Sequence, residues 1–196
     1  MTGPARAAIA LLLLLPAACG GRSGFQRPDY AAAAEARCDE AESCSDPNRA
    51  LSLYGMALED DPKMARAYYG RAVLLDERGR RDEAERSYSM AVEHAADDVR
   101  ARYLLGRAQF LLRQGRMERA VRDLDRAISL LTTWRIGDVE AEARLRRAEC
   151  RVKLRAWDGA AEDLDAAVRA GLDANQRERA RDLRLRVDGG RTEEKR

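Results

Sequence analysis

Ala67-Tyr68-Tyr69-Gly70-Arg71-Ala72 returns 36 residues later as Tyr103-Leu104-Leu105-Gly106-Arg107-Ala108. Both copies end in Gly-Arg-Ala, and both lead through an apolar stretch to a glycine among arginines, Gly79 and Gly115. Downstream, Ala84, Tyr88 and Ala91 of the first copy match Ala120, Leu124 and Ala127 of the second. A third copy lies 40 residues further on. Arg147-Ala148 stand for Arg107-Ala108, and Glu162-Asp163-Leu164-Asp165-Ala166-Ala167-Val168 echoes Arg122-Asp123-Leu124-Asp125-Arg126-Ala127-Ile128. An earlier copy precedes the first by 34 residues, with Ala50, Tyr54, Ala57 and Pro62. A unit repeated at this period cannot bury its own apolar face, so its neighbours must stack on it.

The composition agrees with a helical array. Ala, Arg, Leu, Glu and Asp dominate and β-branched residues are few, which favours helix over sheet. The 36 Lys and Arg nearly cancel the 34 Asp and Glu, leaving a net charge of +2. Charges of alternating sign at helical spacing read as solvated helix faces, not as the basic face of a nucleic-acid binder. Gly79, Gly115 and the break from Thr132 to Asp138 interrupt any long heptad, which argues against a coiled coil.

The register resembles the tetratricopeptide repeat family. Its unit of about 34 residues carries small residues at positions 8, 20 and 27 and a bulky one at 24. Units 31–64, 65–98, 101–134 and 141–174 place Cys38, Ala72, Ala108 and Ala148 at the first of these. Ala50, Ala84, Ala120 and Ala160 follow, then Tyr54, Tyr88, Leu124 and Leu164, then Ala57, Ala91, Ala127 and Ala167. The chain departs from the family where Arg71, Arg107 and Arg147 replace a usual leucine, and where Arg155 replaces the inter-helix glycine of the fourth unit. The resemblance implies an all-α fold, an α-solenoid of about four helical hairpins spanning residues 30–187. Asn175 and Glu178 predict a capping box that starts a last helix over 176–187, and Gly189-Gly190 predict a disordered tail over 188–196. Asp46-Pro47 and Asp61-Pro62 each read as an N-cap before a first-turn proline. Arg107 with Asp123 and Arg147 with Asp163 are expected to pair within their hairpins.

In the family, the first helices of successive hairpins line a groove that holds a peptide or a partner helix. Carried over, the second unit offers Arg66, Tyr69, Val73, Asp76 and Glu77. The third offers Arg102, Leu105, Gln109, Leu112 and Arg113, and the fourth Glu142, Leu145, Glu149, Val152 and Lys153. The basic, partly apolar middle unit suits an acidic-amphipathic peptide or a partner helix. The resemblance implies a non-catalytic scaffold that binds another protein. The alternative is a structural envelope protein that self-associates or contacts peptidoglycan.

No enzymatic chemistry is expected. His94 is the only histidine and sits in a last helical turn. There is no HExxH and no phosphate-cradling glycine loop, and no cofactor or metal site is expected. Asp123/Asp125 and Asp163/Asp165 repeat in phase, which marks them as parts of the repeat. Cys38 and Cys44 can form a disulfide if the first helix ends near Glu42 and the chain turns back.

The N-terminus reads as a targeting segment over residues 1–18. Arg6 supplies a positive charge, and Ala7 to Leu15 is an apolar run too short to span a bilayer, which needs about 20 residues. Ala17-Ala18-Cys19-Gly20 resembles the bacterial lipobox, with Cys19 as the lipidated residue, although Pro16 stands where that motif has an aliphatic residue. An ordinary signal peptide cut at the same place would leave Cys19 a thiol. Residues 19–29 read as a flexible tether. The expected location is the cell envelope, held to the membrane through the lipid alone and facing the periplasm from the outer membrane in an organism with two membranes.

Overall fold

The computed structural model describes residues 29–134 and 137–194. The expected signal peptide, the lipidation site Cys19 and the tether up to Pro28 lie outside the described residues. Nine helices follow one another among those described: α1 (Tyr30–Ser43), α2 (Pro47–Asp60), α3 (Ala65–Glu77), α4 (Arg81–His94), α5 (Asp97–Arg113), α6 (Met117–Trp134), α7 (Gly137–Lys153), α8 (Trp157–Ala170) and α9 (Ala174–Glu194). Successive pairs α1–α2, α3–α4, α5–α6 and α7–α8 form antiparallel hairpins, and α9 packs on both α7 and α8. None of these helices is long and apolar enough to cross a membrane.

The small-residue register is the reason the helices sit so close. All sixteen of its positions are buried, from Cys38 and Ala72 at 0% exposure to Tyr54 at 4%. Alanine lets paired helix axes approach, and the Tyr or Leu four residues after the second alanine fills the space beside them. First helices of neighbouring hairpins come into close contact at three of the four joints, α1 with α3, α5 with α7, and α7 with α9. Among the described residues, α2, α4, α6 and α8 make no comparable contact with one another. The stack therefore curves with its first helices on the inner face.

Local chemistry ends α3, α5 and α7 in the same way. After α3, Gly79 adopts φ +72° and Arg80 N–H donates to the Leu75 carbonyl at 2.9 Å. After α5, Gly115 takes φ +74° and Arg116 N–H donates to Leu111 at 2.9 Å. After α7 the same six-to-one bond closes from Ala156 N–H to Arg151 at 2.8 Å, but the left-handed residue is Arg155, at φ +58°. At the start of α2, Asp46 accepts from Asn48 N–H at 2.9 Å with Pro47 in the first turn, as expected.

Several expectations are corrected. Asp61 does not cap α3. It ends α2 and accepts from Lys63 N–H at 2.9 Å in a turn, while α3 starts from Met64. The capping box of α9 is formed by Asp173 and Gln176 instead of Asn175 and Glu178: Gln176 N–H donates to the Asp173 carboxylate at 2.8 Å and Asp173 N–H to the Gln176 carbonyl at 3.1 Å. Residues 188–194 are not a disordered tail but the end of α9. Gly190 is buried against the Trp157 ring, where a Cβ would fall 2.4 Å from the indole, and Arg191 reaches Asp158 at 2.6 Å. Cys38 and Cys44 are free thiols. Helix α1 continues to Ser43, so Cys38 stays on its buried face while the Cys44 thiol donates to the Asp46 carbonyl at 3.4 Å.

Candidate functional site

The inner face is built from α1, α3, α5 and α7, and it is open only in its first part. On α3 and α5, Tyr69 stacks on Tyr103 with ring centroids 4.5 Å apart and meets Tyr88 edge-on at 5.8 Å. This is possible because Gly106 has no side chain: a Cβ there would lie 2.4 Å from the Tyr69 hydroxyl. Val73, Leu105 and Leu112 lie half-buried against the central core, so with the two tyrosines they form an apolar strip still in reach of solvent. Gln109 is also half-buried. Burial pushes the Tyr69 and Tyr103 hydroxyls above their ordinary values, so both stay neutral.

The charges are distributed differently from the sequence expectation. Arg66 is not free for a ligand. Its Nε and one terminal nitrogen donate to Glu42 at 2.7 and 2.6 Å, and the same guanidinium reaches Asp39 at 2.7 Å and Glu35 at 3.0 Å. The hydrogen bonds from Glu42, with those from Asp39 and Glu35, hold Arg66 more firmly charged than a free arginine. Arg113 is likewise taken, paired with Asp76 across the gap between α5 and α3. Arg102 is exposed and makes no ion pair among the described residues. The basic middle of the groove is thus reduced to one unengaged cation.

At the far end the groove is closed. Leu145 and Val152, expected to line it, are 0% and 4% exposed and pack with Leu183 and Val187 of α9. Glu149 accepts from Arg179 at 2.7 Å, and Glu142 accepts from Arg179 at 3.0 Å and from Arg146 at 2.7 Å. Helix α9 therefore occupies the place that the first helix of a fifth hairpin would take. Lys153 remains exposed at the end of α7.

Sequence reasoning missed the acidic rim on α1. Glu35, Asp39 and Glu42 stand at groove positions 5, 9 and 12 of the unit 31–64, so carrying the register one unit earlier would have found them. Both expected arginine–aspartate pairs are present. Arg107 grips Asp123 with two bonds of 2.7 Å, and Arg147 donates to Asp163 at 2.5, 2.9 and 3.1 Å. Arg147 also bridges backwards to Asp125 of the preceding hairpin at 2.6 Å, and Arg151 adds a bond to Asp163 at 2.8 Å. Burial alone would disfavour the charge of Arg147, and the two aspartates reverse that. These groups hold the stack together and lie off the groove.

Two family models described as tetratricopeptide repeat match the chain, over residues 45–108 and 111–175. No curated protein sequence matches it. Among solved structures, the chain superposes on YrrB, described as a TPR protein with an unusual peptide-binding site, with a TM-score of 0.57 and 20% identity, covering 78% of this chain and 82% of that one. It superposes on MamA from Desulfovibrio magneticus with a TM-score of 0.65 at 13% identity, over 84% and 89% of the two chains. A tetratricopeptide repeat protein from Parabacteroides merdae gives a TM-score of 0.67 at 18% identity, over 83% of this chain and 61% of that one. At such identities the shared property is the fold.

Proposed function

The chain belongs to the tetratricopeptide repeat family, and we propose that it is a non-catalytic scaffold, anchored in the bacterial cell envelope through Cys19, that holds a peptide or helix of another protein on its inner face. The observation that carries the binding reading is the strip of Tyr69, Tyr103, Val73, Leu105 and Leu112. These side chains remain half-exposed although the fold has the means to cover them, as α9 does over Leu145. A half-open apolar strip with polar rims is what an extended peptide or amphipathic helix requires. The peptide-binding site named for YrrB is consistent with it. The anchor rests on the lipobox-like Ala17-Ala18-Cys19-Gly20, and assistance to the assembly of an envelope complex, in the manner of pilotins, follows from anchor and groove together.

Affinity purification from membranes, with and without Cys19→Ala, tests both parts. The wild type is expected in the membrane fraction with a stoichiometric protein partner. Cys19→Ala is expected in the soluble fraction, and Leu105→Asp with Leu112→Asp should lose the partner while keeping the membrane location. A Cys19→Ala protein that stays on the membrane would end the anchor reading, and capture indifferent to the two aspartates would end the groove reading.

A further inference from the structure

The charge that borders the open part of the groove is negative, and it is placed beside the aromatic part of the strip. Glu35, Asp39 and Glu42 converge on a single guanidinium, that of Arg66, which leaves a surplus of two negative charges (three minus one). Their side chains are 55%, 69% and 51% exposed, so the surplus faces solvent. Exposed Glu77 adds to it on α3, while Asp76 is neutralised by Arg113. Arg66 stands three residues before Tyr69 on α3, one turn away on the same side of the helix, which puts the rim next to the stacked Tyr69–Tyr103 pair. An acidic ligand would meet this surplus and find Arg66 and Arg113 already bound, with only Arg102 on α5 left unengaged.

We infer that the α1 end of the groove receives a basic partner segment, an extended peptide or helix with arginine or lysine among aromatic or aliphatic residues. This rests on the groove reading above and gives its occupant a charge. A cation entering here exchanges with Arg66 for the α1 carboxylates and lies over the face of a neutral tyrosine, where the ring quadrupole attracts it. The carboxylates lie well within a Debye length of one another, about 8 Å at physiological salt, so they act together in steering it. The apolar residues of the segment then cover Val73, Leu105 and Leu112. Arg66 is a built-in competitor: it keeps the rim from being fully negative when empty and must yield carboxylates when the groove fills.

The test is selection from a display library of random 12-residue peptides on the purified full chain, followed by fluorescence anisotropy of an enriched peptide. The enriched set is expected to carry net positive charge with aromatic or aliphatic residues. Binding should weaken about tenfold in Glu35→Gln/Asp39→Asn/Glu42→Gln, and added salt should weaken it in the wild type but much less in that variant. Arg66→Gln should act in the opposite direction, tightening binding severalfold by freeing three carboxylates, a change that loss of folding cannot imitate. An acidic enriched set whose binding is lost in Arg102→Glu would overturn the inference and leave the groove reading standing. Failure to enrich any peptide would remove the groove reading and this inference with it. A basic set indifferent to the triple variant, or weakened by Arg66→Gln, would overturn the inference. So would self-association in native mass spectrometry that the triple variant abolishes, since a second copy would then be the occupant.

Discussion

Successive hairpins are joined in two different ways along this chain. Between the second and third, rings do the joining: Tyr69 lies over Gly106, stacks on Tyr103 and meets Tyr88, which in turn tilts against Phe110 at 5.3 Å. The first joint is similar, with Tyr54 lying over Gly70. Between the third and fourth, guanidinium groups take over, with Arg147 spanning Asp125 and Asp163. The residue just before Arg71, Arg107 and Arg147 changes with the joint, as do the rings, since Leu105 and Leu124 of the third hairpin stand where Tyr69 and Tyr88 stand in the second. That preceding residue is Gly70, Gly106 and Arg146 in turn, and a ring can lie only where it has no side chain. One register thus admits two chemistries, one limited by volume and the other by charge. They should respond to different mutations.

The largest effect is expected at the ionic joint. Asp163→Ala removes the carboxylate that holds Arg147 in place for that joint: it leaves Arg151 without a carboxylate and Arg147 with Asp125 alone, where Asp163 is 1% exposed, and breaking such a buried pair costs about 3–5 kcal/mol. Ser87 holds the equivalent position in the second hairpin, and Ser87→Ala should change the unfolding free energy read from urea denaturation by less than about 1 kcal/mol. Equal losses would show that the two joints are not distinct. Next comes the aromatic joint. Gly106→Ala puts a methyl 2.4 Å from the hydroxyl and 2.7 Å from the ring of Tyr69, which is already held between Tyr103 and Tyr88, and overpacking of this kind costs about 1–3 kcal/mol. The same substitution at Gly55, which has nothing within 4 Å, should stabilise by up to about 1 kcal/mol through helix propensity alone. Thermal melts of the two variants would separate packing from propensity, and shifts of the same sign would contradict the close approach.

Much of this was legible in the sequence because it depends on side-chain size at fixed spacing. The alanine register and the two arginine–aspartate pairs lie within single hairpins, where a repeat aligned with itself reports them directly. The groove was harder to read. Arg66 and Arg113 looked available because their partners, Glu42 and Asp76, belong to a neighbouring hairpin, and nothing in the spacing of one unit shows the next. Leu145 follows the same rule: the sequence marks α9 only as a last helix, and nothing in the spacing of the fourth unit shows that it packs as another first helix and buries Leu145. Gly189-Gly190 illustrates an ambiguity of residue type. A glycine marks either a break or a close approach, and only the Trp157 ring facing Gly190 tells which. The acidic rim was passed over because α1 is rich in alanine and carries its message in three separated carboxylates.

A smaller and opposite effect is expected at the turn after α7. Arg155 holds the left-handed conformation that Gly79 and Gly115 hold in the two preceding hairpins, and a residue with a Cβ loses about 1–2 kcal/mol there relative to glycine. Glycine also has more freedom to lose on folding, so Arg155→Gly should gain about 1 kcal/mol at most. A loss of stability would mean that the Arg155 side chain makes up for its backbone.

The smallest expected effect tests whether the aromatic joint is as indifferent to charge as its inner face suggests. On its other side, Glu85 of α4 accepts from Arg116 at 2.5 Å and from Arg119 at 2.6 Å, linking the second and third hairpins. Burial works against ionisation of Glu85, but the two arginines outweigh it and hold the carboxyl below its ordinary value. A carboxyl lowered on folding stabilises the folded chain at pH above its unfolded value, about 4.3, and that increment disappears as the pH falls through the folded value. With its side chain 23% exposed, Glu85 should be worth less than about 1 kcal/mol. Glu85→Gln is therefore expected to lower stability slightly at pH 7 and by less at pH 4, below the unfolded value. If the two proteins differ by the same amount at both values, the clamp acts through packing alone, and the contrast between the volume-limited and charge-limited joints becomes sharper.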